Sequence, residues 1–203
     1  MKSDSSKTTG ETLSGVAVMA FENASEWEGW LARNHSGSGG IFLKIAKRGA
    51  PTDSVTYAEA LEVALCYGWI DAQKKPYDDH YWLQKFTLRK RQSIWSKINR
   101  EKALDLIARG KMKPAGLAAI EAAKQGGRWD GAYDSPGRAE VPEDLRAELD
   151  RNAKAREFFA TLRSTNRYAI LYRLQTAKKP ETRARRLAEY VRMLENHETI
   201  HPQ

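Results

Sequence analysis

The sequence predicts an α+β fold, with a small N-terminal sheet and its helices followed by an all-helical C-terminal half. Strand-like runs of β-branched and apolar residues occur between residues 16 and 90, and helical patterns with capping residues interrupt them. Beyond residue 92 the apolar residues repeat with helical spacing. The chain has 203 residues, 41% hydrophobic and 30% charged, and is therefore long enough to bury a core without disulfides.

Composition divides the chain into three segments. Residues 1–14 are small and polar, which is typical of a disordered tail. Residues 15–135 are predicted to form an α+β domain with a helical extension, and residues 136–196 a C-terminal helical region. A turn-rich connector at residues 127–142 lies around the boundary between these two segments.

The N-terminal half begins with two strands, each followed by a helix. The strands are predicted at residues 16–21 and 41–46. The helices have recognisable N-caps: Asn23 or Ser25 for the first, and Thr56, in a capping box with Glu59, for the second. Gly68 is predicted to end the second helix.

A β-hairpin is predicted next. Residues 69–73 form its first strand, Pro76 lies in the turn, and residues 80–89 form the returning strand. Successive side chains alternate between the two faces of a strand, so Tyr81 and Trp82 are expected on opposite faces. Because neither face is wholly apolar, we expect one face against the core and the other partly in contact with water.

The second half is predicted to be helical. Pro114 and Pro180 each occupy the first position of a helix, where proline is favoured. Glycines end the helices that precede the connector: Gly110, Gly126 and Gly127. The C-terminal helices are predicted at residues 142–149, 152–163, 165–178 and 180–195.

The formal charge of +8 is unevenly distributed. Residues 74–128 carry 14 Lys and Arg against 5 Asp and Glu, and residues 151–195 carry 12 against 4. Residues 129–150, between these two blocks, carry 2 against 7. This pattern allows an anionic ligand or nucleic acid as partner, while solvated helix faces explain the same charge without one.

No catalytic signature is present. Cys66 is the sole cysteine, which rules out an internal disulfide framework, and it lies in an apolar helical pattern as a buried structural cysteine does. Asp78, Asp79 and His80 are consecutive and therefore diverge, unlike side chains that converge on a metal. We predict no catalytic residues, no metal and no cofactor, and we favour a binding protein over an enzyme.

Asp71 is a candidate ligand-binding residue because it follows the apolar residues Trp69 and Ile70. We expect its carboxylate to face a partly enclosed polar site, with Arg89, Lys90 or a tyrosine hydroxyl as its partner. A structural ion pair and a ligand-orienting role both fit this position. Trp69 and Asp71 also mark the place where an enzyme would take a small anionic substrate.

Rings and cations are densest between residues 66 and 100. Tyr81, Trp82 and Arg89, together with neighbouring rings and lysines, are the residue types that a groove for single-stranded nucleic acid needs. Stacked bases would use the rings, and phosphates would use the cations. The alternative is that the tryptophans belong to the core and the cations are solvated.

A second cationic cluster lies at the start of the last predicted helix. Arg183 and Arg186 are three residues apart and share a helix face, and Lys178 precedes them. Cations at a helix N-terminus oppose the helix dipole. Either an anion held there by Lys178, Arg183 and Arg186 compensates for this, or acidic side chains do.

Several separated phrases carry a family resemblance. They are GWIDAQ at 68–73, RQSIWSKIN at 91–99, GKMKPAGLAAIEAAKQGGRWDGAYDS at 110–135 and NRYAILYRLQTAKKPETRARRLAEYVRML at 166–194. In this order they resemble the YdeI/OmpD-associated, or bacteriocin-protection, family over about residues 16–195. The resemblance implies a protective function of undefined biochemical activity and supplies no catalytic residues.

We therefore predict a stress- or bacteriocin-protection-type protein that acts by binding. A module that binds single-stranded nucleic acid is the alternative, and an enzyme acting on a small anionic substrate is the third possibility. The polar N-terminus has no secretory pattern, and no apolar stretch is long enough for a membrane span, so a cytoplasmic location is expected.

Overall fold

The computed structural model describes residues 10–202, which form two compact units. The first unit contains the residues up to Ile94 together with Asn99–Asp130, and the second contains Trp95–Ile98 and the residues from Gly131 onward. The predicted α+β class is confirmed, with a five-stranded sheet near the N-terminus and mostly helices in the C-terminal half. The domain boundary that we predicted after residue 135 stays a proposal.

From residue 16 onward the elements follow one another in the predicted order. They are β1 (Thr12–Leu13), β2 (Val16–Met19), α1 (Ala24–Asn34), β3 (Ile41–Ala46), α2 (Tyr57–Cys66), β4 (Trp69–Pro76), β5 (Tyr81–Leu88), α3 (Lys97–Ala108), α4 (Pro114–Gln125), α5 (Glu143–Arg151), α6 (Ala153–Thr161), α7 (Ser164–Gln175) and α8 (Pro180–Glu195). The disordered tail predicted at 1–14 needs a correction, because β1 pairs with β2 and brings Thr12 and Leu13 into the sheet. Residues 1–9 of that prediction lie outside the described residues.

The sheet has the strand order β1-β2-β3-β5-β4. β2 and β3 are parallel, and the other neighbours are antiparallel. Helix α1 covers one face through Trp27, whose ring lies 5.7 Å from Phe86 and meets Trp69 edge-on at 6.3 Å. These three rings are fully buried and form part of the core under α1.

Local capping fixes where the first two helices begin. The Asn23 side chain accepts a hydrogen bond from the backbone N–H of Glu26, which makes Asn23 the cap of α1. Thr56 and Glu59 form the predicted capping box, with the Glu59 carboxylate accepting from the Thr56 backbone N–H at 3.0 Å. Both caps satisfy backbone donors that helix geometry leaves without a partner.

In the second unit, helices α5 to α8 enclose a separate hydrophobic core. Their fully buried apolar side chains include Leu145, Ala155, Ile170, Leu174 and Leu194. Asn152 ends α5 and caps α6, because its side chain accepts from the Ala155 backbone N–H at 3.1 Å. None of the helices in the described part of the chain combines the length and apolar composition needed to cross a bilayer.

Two helical glycines allow a matched test of packing between α2 and α4. A methyl group on Gly116 would meet the carbonyl oxygens of Cys66 and Leu65, whereas one on Gly29 would meet a single flexible arginine atom at 3.7 Å. Gly116→Ala should lower the free energy of unfolding by about 1–3 kcal/mol, because backbone oxygens cannot move aside. Gly29→Ala should raise it by about 0.5–1 kcal/mol through helix propensity. Urea unfolding of both variants checks the pair, and equal effects would contradict the α2–α4 contact.

Candidate functional site

Two of the predicted ligand-binding residues belong to the interior. Trp69 is fully buried, and its indole N–H donates to the His35 carbonyl at 3.0 Å. Arg89 is 9% exposed, and its guanidinium donates to the Ile94 carbonyl at 3.3 Å. Neither side chain is presented to a ligand, so a ligand contact through Trp69 or Arg89 is not supported by their positions.

A β-bulge in β4 decides which side chains share a face. The pairing with β5 is regular at Asp71 and again at Lys74, with a register shift between them. Buried Gln84 stabilises the shift by donating its side-chain amide to the Ala72 carbonyl at 3.3 Å. The bulge inserts one extra residue into β4, so Asp71 pairs with Phe86 and Lys74 pairs with Gln84. The side chains of Asp71 and Lys74 therefore lie on the same face of the sheet, and that of Lys75 lies on the opposite face.

On the helix-covered side, four residues form what we call the Trp82 cluster: Tyr57, Asp71, Lys74 and Trp82. The Lys74 ammonium lies over the Trp82 ring, 4.1 Å from its centroid. The Tyr57 ring lies 6.0 Å from the same indole, tilted by 46°. Asp71 and Trp82 are half-buried, and Tyr57 is 36% exposed, so the cluster is accessible from solvent.

The Tyr57 hydroxyl donates to the Asp71 carboxylate at 2.8 Å. A tyrosine hydroxyl was one of the partners predicted for Asp71, and Tyr57 is the one that the structure provides. Burial, and then the hydrogen bond to Asp71, raise the pKa of Tyr57 well above its ordinary value. The tyrosine therefore remains a neutral hydrogen-bond donor to the Asp71 carboxylate.

The opposite face carries what we call the lysine face: Phe42, Lys44, Lys75, Tyr77 and Lys85. The ammonium groups of Lys75 and Lys85 each lie 5.5 Å from the centroid of the Phe42 ring. Phe42 is 2% exposed. It forms a small buried cluster with two other strand residues, Val18 and Leu83. The aliphatic stems of the two lysines thus help to cover the ring.

The three lysines differ in how their charge is balanced. Lys44 forms an ion pair with Glu11 at 3.0 Å, and its ammonium lies 4.4 Å from the Tyr77 ring centroid. The Tyr77 hydroxyl donates to Glu11 at 2.7 Å, and this bond, followed by Lys44, lowers the pKa of Glu11. Within residues 10–202, Lys75 and Lys85 have no carboxylate at ion-pair distance.

The predicted nucleic-acid groove is thus divided by the sheet. Tyr81 lies on the lysine-face side of β5, where its hydroxyl contacts Thr52, and Trp82 lies on the other side against Tyr57. A single groove that uses both rings is not what the structure contains. The site residues predicted from the sequence did not include Tyr57 or Lys74. The alternation of side chains along β5 was the sequence signal that Tyr81 and Trp82 lie on opposite faces.

A cleft of about 510 Å³ in the first unit contains the cysteine. Burial raises the pKa of the Cys66 thiol, so at neutral pH it is a protonated and weakly nucleophilic group. Lys113 at the rim is paired with Glu28 at 2.9 Å. Among the described residues, no group of three or more His, Cys, Asp or Glu side chains is arranged to hold a metal ion.

The arginines of α8 reach back to the end of α7. Arg183 holds Asp144 through two nitrogens, at 2.7 and 2.8 Å, and also donates to the Leu174 carbonyl at 2.7 Å. Arg186 donates to the Arg173 carbonyl at 2.6 Å. Cations that bind the last carbonyls of a helix satisfy groups without intrahelical partners and complement its dipole.

These contacts explain a basic helix start without a bound anion. Both guanidinium groups already have partners within the C-terminal unit, and Lys178 is exposed. They favour the salt-bridged alternative over an anion site at Lys178, Arg183 and Arg186. The arginines that oppose the dipole of α8 therefore stabilise the end of α7.

Two family models match separate segments of the chain. Residues 138–197 match the family model described as Bacteriocin-protection, YdeI or OmpD-Associated. The predicted family is confirmed for this region. Residues 19–119 match a different model, Domain of unknown function (DUF8412). Searches of curated proteins and of solved structures gave no match.

The residues matched by the bacteriocin-protection model, 138–197, contain helices α5 to α8 and their core. At the level of the family, the match associates them with bacteriocin protection. The Asp144–Arg183 pair and both arginine contacts to the end of α7 lie inside this region. The earlier phrases of the resemblance, at 68–73 and 91–99, fall in the part matched by the other model.

The Asp144–Arg183 pair predicts a pH-dependent contribution to stability. The hydrogen bond from Arg183 lowers the pKa of Asp144, so the contribution is present above the unfolded-state pKa of about 3.9 and is lost as the pH falls below it. Arg183→Gln should lower the free energy of unfolding by about 1 kcal/mol at pH 7, since the pair is partly exposed. At pH 3 that difference should shrink. Arg185→Gln, at an exposed position of α8, should have little effect at either pH.

Proposed function

We propose that this protein is a bacteriocin-protection-type protein that acts by binding, and that its ligand is an anion bearing phosphate groups. The lysine face supports the proposal most strongly. Lys75 and Lys85 bring two ammonium groups to one Phe42 ring without a carboxylate between them. Two like charges held close together repel each other, and an anionic ligand would remove that repulsion.

The surrounding sheet makes this face suited to an extended ligand. Three strands contribute: Lys44 on β3, Lys75 on β4 and Lys85 on β5, all on the side that carries the Val18–Phe42–Leu83 cluster. Lys44 is neutralised by Glu11, so the net positive charge lies toward β4 and β5. Glu11 beside Lys44 is held by that ion pair and by the Tyr77 hydroxyl, which lower its pKa and make it a weak general base, so we favour binding over catalysis.

Single-stranded nucleic acid is a second candidate for the same ligand chemistry. Tyr77 is 38% exposed beside Lys44, and an exposed ring next to cations can stack a base. Phe42 is buried under the lysine stems and offers no stacking surface. The nucleic-acid alternative therefore depends on Tyr77, whereas binding of a phosphate polymer without bases depends on the lysines alone.

A cytoplasmic location is part of this proposal. The protein has one buried cysteine and no second one to pair with, so it needs no oxidising compartment to complete its fold. Fractionation of cells that produce the protein, with marker proteins for each compartment, tests this part separately from ligand binding.

The double variant Lys75→Gln, Lys85→Gln tests the lysine face. Binding of labelled oligothymidine and of inorganic polyphosphate is measured by fluorescence anisotropy and competition between 50 and 200 mM salt. The variant should bind both ligands roughly tenfold more weakly at 50 mM salt. For oligothymidine, the slope of log affinity against log salt concentration should fall in magnitude by about 1.4, at about 0.7 for each lost phosphate contact. If bases stack on Tyr77, Tyr77→Leu should weaken the binding of oligothymidine and leave the binding of polyphosphate unchanged.

The matched control is Lys124→Gln, Lys154→Gln, which removes the same charge from two exposed helix positions. If this control loses as much affinity as the lysine-face variant, binding reflects overall charge and the proposed surface is wrong. An unmodified protein that binds neither polymer at 50 mM salt would reject the anionic ligand itself.

A further inference from the structure

The Trp82 cluster combines the features by which proteins bind organic cations. The Tyr57 and Trp82 rings lie 6.0 Å apart and are tilted by 46°, so they are an aromatic pair that meets at an angle and not a parallel stack. The Asp71 carboxylate, held by the Tyr57 hydroxyl at 2.8 Å, supplies a fixed negative charge beside them. Aromatic walls with an adjacent anion attract alkylammonium groups through the ring quadrupole and through charge.

A cation already lies over one of these two rings. The Lys74 ammonium lies 4.1 Å from the centroid of the Trp82 ring, well within the range of a cation–π contact. Lys74 is otherwise exposed, and it reaches this face because the β-bulge after Asp71 shifts the register of β4. An isolated pair of lysine and tryptophan is common on protein surfaces. A contact between one lysine and one tryptophan requires neither the β-bulge, nor the Tyr57 ring, nor the Asp71 carboxylate held by the Tyr57 hydroxyl.

We propose that the Trp82 cluster is a receptor site for an external alkylammonium group, and that Lys74 is an internal ligand which this group displaces. The chemistry fits a quaternary ammonium ion or a methylated amine. Both prefer aromatic walls over water, because their charge is spread over apolar methyl groups that hydrate weakly. The primary ammonium of Lys74 is more strongly hydrated and therefore leaves the site more readily.

Competition with the Lys74 ammonium limits the affinity of the unmodified protein for an external alkylammonium ion. A tethered side chain acts at an effective concentration on the order of millimolar, so a monovalent cation competes poorly with Lys74. Removing the Lys74 ammonium should expose the full affinity of the rings and the carboxylate. The inference does not rest on the lysine face, because Lys74 and Lys75 lie on opposite sides of β4.

The experiment titrates the full chain with tetramethylammonium chloride and follows the indole ¹H–¹⁵N resonance of Trp82. Trp82→Phe identifies that resonance among the six tryptophans of the chain. In the Lys74→Ala variant, tetramethylammonium should shift the Trp82 signal saturably, with an affinity roughly tenfold higher than in the unmodified protein. Asp71→Asn combined with Lys74→Ala should lose most of this gain, because the amide keeps the shape of the carboxylate and removes its charge.

Three comparisons make the result decisive. Lys75→Ala, which removes the neighbouring lysine from the other face, should leave the Trp82 titration unchanged. Lys74→Gln should behave like Lys74→Ala, which separates lost charge from lost side-chain length. Sodium chloride at equal concentration should give no saturable shift. The proposal is rejected if sodium reproduces the shift, if Lys75→Ala matches Lys74→Ala, or if the Lys74 variants bind no more tightly than the unmodified protein.

Discussion

The pairing of β4 with β5 is the interaction on which both candidate surfaces depend. Its register shifts between Asp71 and Lys74, and the Gln84 amide binds the Ala72 carbonyl at the shift. A one-residue change of register moves every later side chain of a strand to the other face. With the bulge, Lys74 lies on the Trp82 side and Lys75 on the Phe42 side. Two adjacent lysines thus serve two chemically different surfaces.

The same features also protect an edge strand, since β4 ends the sheet. Lysines, a bulge and Pro76 are common means by which a sheet edge avoids pairing with another chain. Edge protection explains why cations occur on β4, but it does not require two rings and an anchored carboxylate beside Lys74. It also leaves unexplained why Lys75 and Lys85 converge on one buried ring. The ligand-binding proposals address these remaining features.

Local signals made much of the fold predictable from the sequence. The Thr56–Glu59 capping box and the strand at Ile41–Ala46 were predicted residue for residue, because short-range patterns determine both. The candidate sites depend on partners that are distant in sequence: Tyr57 lies 14 residues from Asp71, and Asp144 lies 39 from Arg183. No local pattern marks the bulge, because Gln84 on the next strand stabilises it. The ligand-binding predictions for Trp69 and Arg89 did not anticipate that both side chains would be buried.

The most direct test of this account is a measurement of side-chain proximity by NMR. Nuclear Overhauser contacts from the Cε protons of Lys74 and Lys75 report which ring each lysine approaches in solution. The account predicts contacts from Lys74 to the Trp82 indole and from Lys75 to the Phe42 ring, with upfield ring-current shifts for both lysines. Contacts from Lys75 to Trp82, with none from Lys74, would show that β4 pairs without the bulge and would contradict the assignment of both surfaces.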